Sequence, residues 1–143
     1  MSTQIADDVP ASWMARESGV FAPYWLGIRA GQLRFPKCAK CGRFQWYPET
    51  LCPHCGSGVF DWTQIAPAGH VFSFTVIRRS LLPSFAERVP YVVGVISMDE
   101  APSVRLVTNI IECDPKDVQI GRAVQIVVRE TESDGPLPFA LLT

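Results

Sequence analysis

The sequence predicts a mainly β protein that combines an N-terminal helical segment, a small metal-binding ribbon and a C-terminal barrel. Two closely spaced Cys-x-x-Cys pairs indicate the ribbon. Valine-, isoleucine- and phenylalanine-rich runs, separated by turns in a chain with 12 prolines and 10 glycines, indicate many short strands. At 143 residues and 48% hydrophobic composition, the chain can build one core of moderate size.

The N-terminal segment, residues 1–32, is predicted to contain two short helices. Apolar residues recur between Trp13 and Ile28, and Gly19 and Pro23 interrupt the pattern. Three aromatic residues of this segment are candidates either for packing on the ribbon or for binding a partner protein: Phe21, Tyr24 and Trp25.

Residues 33–60 are predicted to form the ribbon. Its metal ligands are the cysteines of the two pairs: Cys38, Cys41, Cys52 and Cys55. A glycine after each pair allows the positive φ that turns backbone N–H groups toward the sulfurs. Between the pairs, residues 44–48 are expected to form one ribbon strand. Four thiolates fill a tetrahedral Zn²⁺ site and leave no position for water, so the predicted zinc is structural.

The two cysteine pairs have three other possible roles. Two disulfides would require an oxidising compartment, but the sequence shows no secretory leader and no membrane-spanning apolar run, so a cytoplasmic, reduced protein is expected. Iron bound as in rubredoxin would make the chain an electron carrier. A thioredoxin-like redox pair would open a helix in a βαβ unit, and neither pair has that setting.

Residues 61–143, with the end of the ribbon, are predicted to supply the strands of a small closed barrel. The expected strands cover residues 59–65, 70–79, 91–98, 103–111 and 123–130, with a closing strand at 138–142. Gly94 is the expected bend of a coiled barrel strand. Asp114 and Pro115 indicate the start of a short helix that Gly121 stops.

The segments 21–33, 71–79, 90–95 and 121–124, together with the two cysteine pairs, closely resemble the zinc-ribbon OB-fold proteins catalogued as domain of unknown function 35. The resemblance covers about residues 20 to 130. It implies an N-terminal helical hairpin, a rubredoxin-like zinc ribbon and a C-terminal OB-fold barrel. Two departures, in residues 47–50 and 66–69, touch no metal ligand and leave the partner enzyme open.

The resemblance also implies a function, since members of the family are generally acyl-CoA-associated accessory subunits. They assemble with thiolases, with thiolase-like retro-aldolases of side-chain degradation, or with hydratases. The chain is therefore expected to be a non-catalytic subunit that supports a thiolase-superfamily enzyme acting on acyl-CoA thioesters. The expected assembly is a hetero-oligomer, such as a dimer of heterodimers.

The residues themselves offer no catalytic constellation. The only histidines are His54, inside a cysteine pair, and His70, at the start of a predicted strand. Cys113, the fifth cysteine, follows a predicted strand and is expected to be a structural thiol. Catalysis is therefore assigned to a partner.

Basic and apolar residues around the loop 80–88 form a second candidate site. They are either a solvated barrel rim or the border of a channel for a CoA thioester, with guanidinium groups on the phosphates and apolar side chains along the pantetheine or acyl path. The predicted CoA-ester residues are Arg78, Arg79, Leu82, Phe85 and Arg88, with Leu81 on the same loop and Arg105 on a neighbouring strand.

An OB-fold that binds single-stranded nucleic acid is the alternative function. Phe72 and Phe74 alternate on one predicted strand and would stack on bases, although such a pair more often fills a barrel core. The net charge of −1 and the pI near 6.1 are evidence against a phosphate-binding surface. We therefore expect no nucleic acid and no membrane among the partners.

Overall fold

The computed structural model describes residues 19–143 except Ser133. This part contains one α-helix, α1 (Ala22–Arg29), and seven strands. The strands are β1 (Leu33–Cys38), β2 (Phe60–Ile65), β3 (Ala68–Ile77), β4 (Tyr91–Met98), β5 (Ala101–Ile111), β6 (Ala123–Thr131) and β7 (Gly135–Leu142). One compact unit, which we call the ribbon unit, comprises the described residues up to Ile65 with Val128–Pro138, and the other, the barrel unit, comprises Ala66–Val127 with Phe139–Thr143.

Helix α1 is the second of the two predicted helices. Pro23 lies in its first turn, where a missing N–H costs nothing, and Gly31, with a φ of 74°, follows its end. The helix buries Tyr24 and Ile28. The segment in which the sequence predicts the first helix lies before Gly19, outside the described residues.

Strands β1 and β2 form an antiparallel pair that runs from Leu33 opposite Ile65 to Cys38 opposite Phe60. The sequence places β2 among the barrel strands, but it pairs in the ribbon. The predicted ribbon strand at residues 44–48 is wrong, because this segment makes only an isolated bridge, between Phe44 and Lys37. Its apolar alternation reflects aromatic packing and not a strand ladder.

The remaining strands form a closed barrel in the order β3-β4-β5-β7-β6. Strands β3, β4 and β5 are an antiparallel meander, β3 also pairs with β6, and β5 pairs in parallel with β7 through Ile110 and Ala140. This is the closed five-stranded arrangement that the sequence predicts. Strands β3, β5 and β7 begin two or three residues earlier than expected, inside segments predicted as turns.

Alternate residues of the barrel strands point into the barrel and form its core. The inward side chains that are almost fully buried include Val71, Val92, Ile96, Met98, Val104, Leu106, Ile110, Val124 and Ile126. Gly94 lies where a Cβ atom would stand 2.8 Å from Cδ1 of Ile110, so close packing requires a glycine at this point. The register shifts lie elsewhere, between Val71 and Ser73 and between Ser97 and Met98.

The short helix predicted after β5 is a single 3₁₀ turn, Pro115–Asp117. The Asp114 carboxylate accepts a hydrogen bond of 3.0 Å from the backbone N–H of Lys116, as expected of an N-cap. Gly121, with a φ of 88°, lies beyond this turn. Within the described residues, no helix has the length and apolar character needed to cross a membrane.

Candidate functional site

The four predicted ligands converge at one end of the ribbon. The Sγ atoms of Cys38 and Cys55 are 3.5 Å apart, and those of Cys41 and Cys52 are 3.7 Å apart. All four sulfurs lie within 4.8 Å of one another. A Zn–S bond of about 2.3 Å in a tetrahedron separates the sulfurs by about 3.8 Å, so the donor set fits a Zn²⁺ ion.

Both knuckles have the backbone geometry that the glycines predict. Gly42 and Gly56 have φ values of 76° and 78°. Each donates its N–H to the carbonyl oxygen of the first cysteine of its pair, at 2.9 Å for Cys38 and 2.8 Å for Cys52. The N–H of Cys41 points at Sγ of Cys38, at 3.4 Å. These contacts hold the two sulfurs of each pair close together on its knuckle.

Local dipoles and burial distribute the charge unevenly over the sulfurs. The N–H of Cys41 lowers the pKa of Cys38 to about 6. Burial acts to raise the pKa of Cys52, but N–H groups of its own knuckle, His54 first, lower it overall. The N–H of Arg43 favours the Cys41 thiolate, yet burial and the neighbouring sulfurs raise the pKa of Cys41 to about 11. All four sulfurs are ionised together only when a bound cation neutralises them.

A cluster of aromatic rings joins helix α1 to strand β1 and to Trp46. Tyr24 is only 3% exposed and contacts Trp25, Phe35 and Trp46 at centroid distances of 4.9, 5.8 and 4.6 Å. Burial is the main cause that raises the pKa of Tyr24 above its ordinary value. Of the three predicted partner-binding residues, Tyr24 is therefore internal.

The half-buried rings of this cluster, together with one exposed ring, form the surface of the same unit. Phe21 and Trp25 are half-buried, and Phe21 contacts Tyr47 at 5.8 Å. Tyr47 is 61% exposed. The exposure of Tyr47 was not predicted from the sequence, because the residue was assigned to a ribbon strand. We call Phe21, Trp25 and Tyr47 the aromatic surface.

The two histidines and the fifth cysteine lie in hydrogen-bonded or half-buried positions. Arg43 donates a 2.7 Å hydrogen bond to Nδ1 of exposed His54. His70 pairs with Asp99 at 2.7 Å on the barrel surface. Cys113 is half-buried, and burial, followed by nearby Asp117, raises its pKa, which opposes thiolate chemistry. Among the described residues, these side chains do not assemble a nucleophile with a base.

The predicted CoA-ester residues border two adjoining depressions in the barrel unit. The larger groove, of about 410 Å³, is lined by Ile77, Arg79, Ser80, Leu81, Leu82, Phe85 and Tyr91. The smaller cleft, of about 200 Å³, is lined by Phe85, Arg88, Tyr91, Asn109, Ile110, Ile111 and Phe139. The rings of Phe85 and Tyr91, 6.1 Å apart, belong to both.

The structure thus brings together four of the five predicted residues and leaves one outside. Arg79 and Leu82 line the larger groove, Arg88 lines the smaller cleft, and Phe85 lines both. Arg78 is exposed and lines neither. Tyr91 was not predicted from the sequence as a lining residue, because its position in a strand does not indicate the direction of its side chain.

Loop 80–88 presents apolar side chains to solvent beside the larger groove. Leu81 is 97% exposed and Leu82 is 59% exposed. The Ser80 hydroxyl donates to the carbonyl oxygen of Leu82 at 2.5 Å and accepts from its N–H at 3.2 Å, which fixes the turn. Adjacent exposed leucines on an ordered turn are typical of a contact surface.

Phe72 and Phe74 do not fill the barrel core. Phe72 is 53% exposed because the register shift between Val71 and Ser73 turns it outward, and Phe74 is half-buried. The guanidinium of Arg105 stacks over the Phe72 ring, 4.4 Å from its centroid. Arg105 therefore belongs to this stack and lines neither depression.

A four-cysteine ribbon followed by a closed five-stranded barrel defines the class of zinc-ribbon OB-fold proteins. Two family descriptions match the chain: "ChsH2, rubredoxin-like zinc ribbon domain" over residues 25–61 and "ChsH2, C-terminal OB-fold domain" over residues 62–129. A "DUF35 domain-containing scaffold protein" of Methanocaldococcus jannaschii is 30% identical over 100 residues, which are 69% of each chain. The chain belongs to the DUF35 family.

Other curated relatives differ in length. A "DUF35 domain-containing scaffold protein" of Methanothermobacter thermautotrophicus is 29% identical over 69% of this chain and 73% of that protein. A "probable enoyl-CoA hydratase alpha subunit" of Thermomonospora curvata is 34% identical over 80% of this chain. The chain spans only 35% of that subunit's length.

Two solved structures have the same fold. A chain of the "Ltp2-ChsH2(DUF35) aldolase" superposes with a TM-score of 0.78 at 30% identity, over 87% of this chain and 95% of that one. A DUF35-family protein of unknown function from Sulfolobus solfataricus gives a TM-score of 0.64 at 18% identity, over 100% of this chain and 98% of that one. The scaffold names and the aldolase complex support an accessory role beside an enzyme subunit.

Proposed function

We propose that the chain is a non-catalytic accessory subunit of a cytoplasmic complex whose catalytic subunit is a thiolase-superfamily enzyme, a retro-aldolase or a thiolase. The complex acts on acyl-CoA thioesters, and the assembly is a dimer of heterodimers. The four-thiolate site supports this proposal, because it has no open coordination position for a substrate. The match to a subunit of an aldolase complex also supports it.

The observation that carries the proposal is the apolar, arginine-bordered groove beside the exposed leucines of loop 80–88. Its volume, about 410 Å³, lies within the range of small-molecule sites. Its walls are aliphatic and aromatic, with Arg79 as the cation among its lining residues. Such a groove matches a ligand with a long apolar arm and an anionic end, which describes a CoA thioester.

In the proposed arrangement, Arg78 and Arg79 contact the CoA phosphates, and Leu82 and Phe85 line the path of the pantetheine arm or acyl group. Arg88 lies beyond Phe85, with its guanidinium 5.3 Å from the ring centroid. The exposed leucines are covered when the catalytic subunit completes the channel.

The aromatic surface is the proposed docking site for the catalytic subunit. Partly exposed rings backed by a rigid cluster are favourable interface anchors, since little conformational entropy is lost when they bind. The buried ring of Tyr24 packs against Trp25 of this surface, with the ring centroids 4.9 Å apart.

The test is to express the chain with the reading frames adjacent to its gene and to identify what co-elutes. A thiolase-superfamily enzyme is expected, and the double substitution Trp25→Ala with Tyr47→Ala should reduce its recovery. A stable monomer that co-elutes with no such enzyme would contradict the accessory role.

The CoA-ester site is tested in the isolated complex. Replacing Arg78 and Arg79 by Ala should weaken binding of the complex to a CoA thioester at least tenfold. The matched control replaces Lys116 and Arg122 by Ala, which removes the same charge elsewhere on the barrel unit. Equal affinities for the two double variants would remove the proposed phosphate contacts.

A further inference from the structure

The smaller cleft differs from the larger groove in size and in lining. At about 200 Å³ it is smaller than the cavities of roughly 300 to 1,000 Å³ that hold whole cofactors. It therefore suits one compact group and not a complete CoA molecule. Three aromatic rings and two isoleucines make most of its wall: Phe85, Tyr91, Phe139, Ile110 and Ile111.

The polar groups of the cleft favour an anion. Its lining includes one cation, Arg88, one amide, Asn109, and no acidic side chain. Asn109 donates its Nδ2 to the carbonyl oxygen of Val92 at 3.1 Å, which ties the amide to strand β4. Arg88 thus remains as the anion-binding group at the cleft.

Arg88 is oriented toward this role by its own loop. Its N–H donates to the carbonyl oxygen of Phe85 at 3.0 Å, and its guanidinium carbon lies 5.3 Å from the centroid of the Phe85 ring. A guanidinium held over a ring keeps its edge for a planar, two-oxygen acceptor, and a carboxylate has that geometry.

We propose that the smaller cleft binds a compact aromatic or branched apolar group that carries a carboxylate, with the carboxylate on Arg88. The apolar walls hold the body of the group, and the guanidinium recognises its charged end. This group is the far end of the acyl chain, an assignment that rests on the function proposed above. Phe85 and Tyr91 line both depressions, so the two adjoin, and in this proposal the acyl chain runs from the larger groove into the smaller cleft.

The test uses the isolated full chain and 3-phenylpropionate as the probe. Methyl chemical shifts of Ile110 and Ile111 report binding, and 3-phenylpropanamide is the uncharged control ligand. The acid should bind at least tenfold more tightly than the amide. Arg88→Gln should abolish this preference and Arg88→Lys should retain part of it. Arg122→Gln, a change of the same charge at a residue that lines neither depression, should leave the preference intact.

Two results would overturn the proposal: equal affinities for the acid and the amide, or the same loss of preference in Arg88→Gln and Arg122→Gln. The Arg88→Gln variant is folded if its backbone amide NMR spectrum matches that of the unaltered chain. N-acetylphenylalanine, which mimics the last residue of a protein, tests the source of the carboxylate. If it binds more tightly than 3-phenylpropionate, the assignment to an acyl chain is wrong.

Failure of this test is distinguishable from failure of the proposed function. The titration needs neither a partner nor CoA, so it can fail while the catalytic subunit still co-elutes. The titration can likewise succeed when no catalytic subunit co-elutes. The cleft then binds an apolar carboxylate, but the assignment of that group to an acyl thioester is contradicted.

Discussion

Gly69 shows how closely single residues control the packing of the barrel. A Cβ atom at this position would lie 2.5 Å from the carbonyl oxygen of Ser97 and 2.8 Å from Cγ2 of Ile96. The first contact is with backbone, which cannot rotate away. Strands β3 and β4 therefore approach one another here only because the side chain is absent.

Gly69→Ala should destabilise the barrel by about 1 to 3 kcal/mol, the usual cost of forcing an extra group into a packed site. Urea unfolding monitored by circular dichroism measures this change. Gly58→Ala is the matched control, because its Cβ would meet Leu51 at an ordinary 3.5 Å. Equal unfolding free energies for the two variants would contradict the steric explanation.

Tyr24 gives the ribbon unit a dependence on alkaline pH. Its folded-state pKa is raised by burial, so the folded chain keeps the phenol proton where the unfolded chain, with a pKa of about 10, releases it. The unfolded state then binds fewer protons, and stability falls as the pH rises above about 10. The slope from this one group reaches about 1.4 kcal/mol per pH unit.

Tyr24→Phe should therefore lose less stability than the unaltered chain between pH 9 and pH 11. Urea midpoints across this range measure the difference, and Tyr91→Phe in the barrel unit is the control for loss of a phenol. A Tyr24→Phe variant as sensitive to alkali as the unaltered chain would show that the buried phenol does not cause the effect.

Residue roles were predictable from sequence only where spacing determines geometry. The cysteine pairs identify all four ligands, because two intervening residues and a following glycine fix a knuckle locally. The burial of Tyr24 and the exposure of Tyr47 depend on how helix α1 packs on residues 44–48, and spacing carries no information about that contact.

At the scale of elements, the knuckles order a ribbon that has only one pair of strands. Two strands are marginal without a further source of stability, and a structural zinc typically contributes about 10 to 16 kcal/mol of apparent binding energy. The backbone contacts within each knuckle place the sulfurs, and the ion links the two knuckles.

The purified chain should hold one Zn²⁺ ion, and Cys38→Ser should lose it and impair solubility and assembly with the partner. Elemental analysis and a thiol-competitive zinc indicator measure the metal content. Cys113→Ser, which removes the remaining cysteine, should retain a full complement of zinc. An iron content near one per chain would establish the rubredoxin-like alternative.

Sequence patterns located the elements better than they paired them. The barrel strands were predicted to within a few residues, because alternating apolar runs bounded by turns are local signals. The pairing of β2 with β1 was missed, since the segment 59–65 adjoins both the second knuckle and the barrel and its composition suits either. Long-range pairing depends on contacts that no local pattern records. The boundaries at residues 32/33 and 60/61 stay predictions.

At the scale of the whole molecule, charge and exposed surface are evidence against the nucleic-acid alternative. The chain has a net charge of −1, and the exposed ring of Phe72 is covered on one side by Arg105. A surface that binds single-stranded nucleic acid needs several cations along one groove for the phosphates and uncovered aromatic faces on which the bases stack.

Micromolar chain should therefore cause no shift of a single-stranded oligonucleotide in a gel at 50 mM salt. A complex that forms at low salt and dissociates as salt rises would instead show phosphate binding and revive the alternative. A basic single-stranded DNA-binding OB-fold protein serves as the positive control.

The parallel pairing of β5 with β7 has a consequence for the order of folding. Strands β3, β4 and β5 adjoin one another in sequence and can pair as soon as they are made. Strand β5 cannot pair with β7 until the chain has been made as far as Ala140, the partner of Ile110. Contacts between distant residues form slowly, because the intervening chain must first be brought into a closed loop. During synthesis on the ribosome, the growing chain therefore exposes an unpaired β5 edge until β7 emerges, and it is most prone to aggregate during this interval.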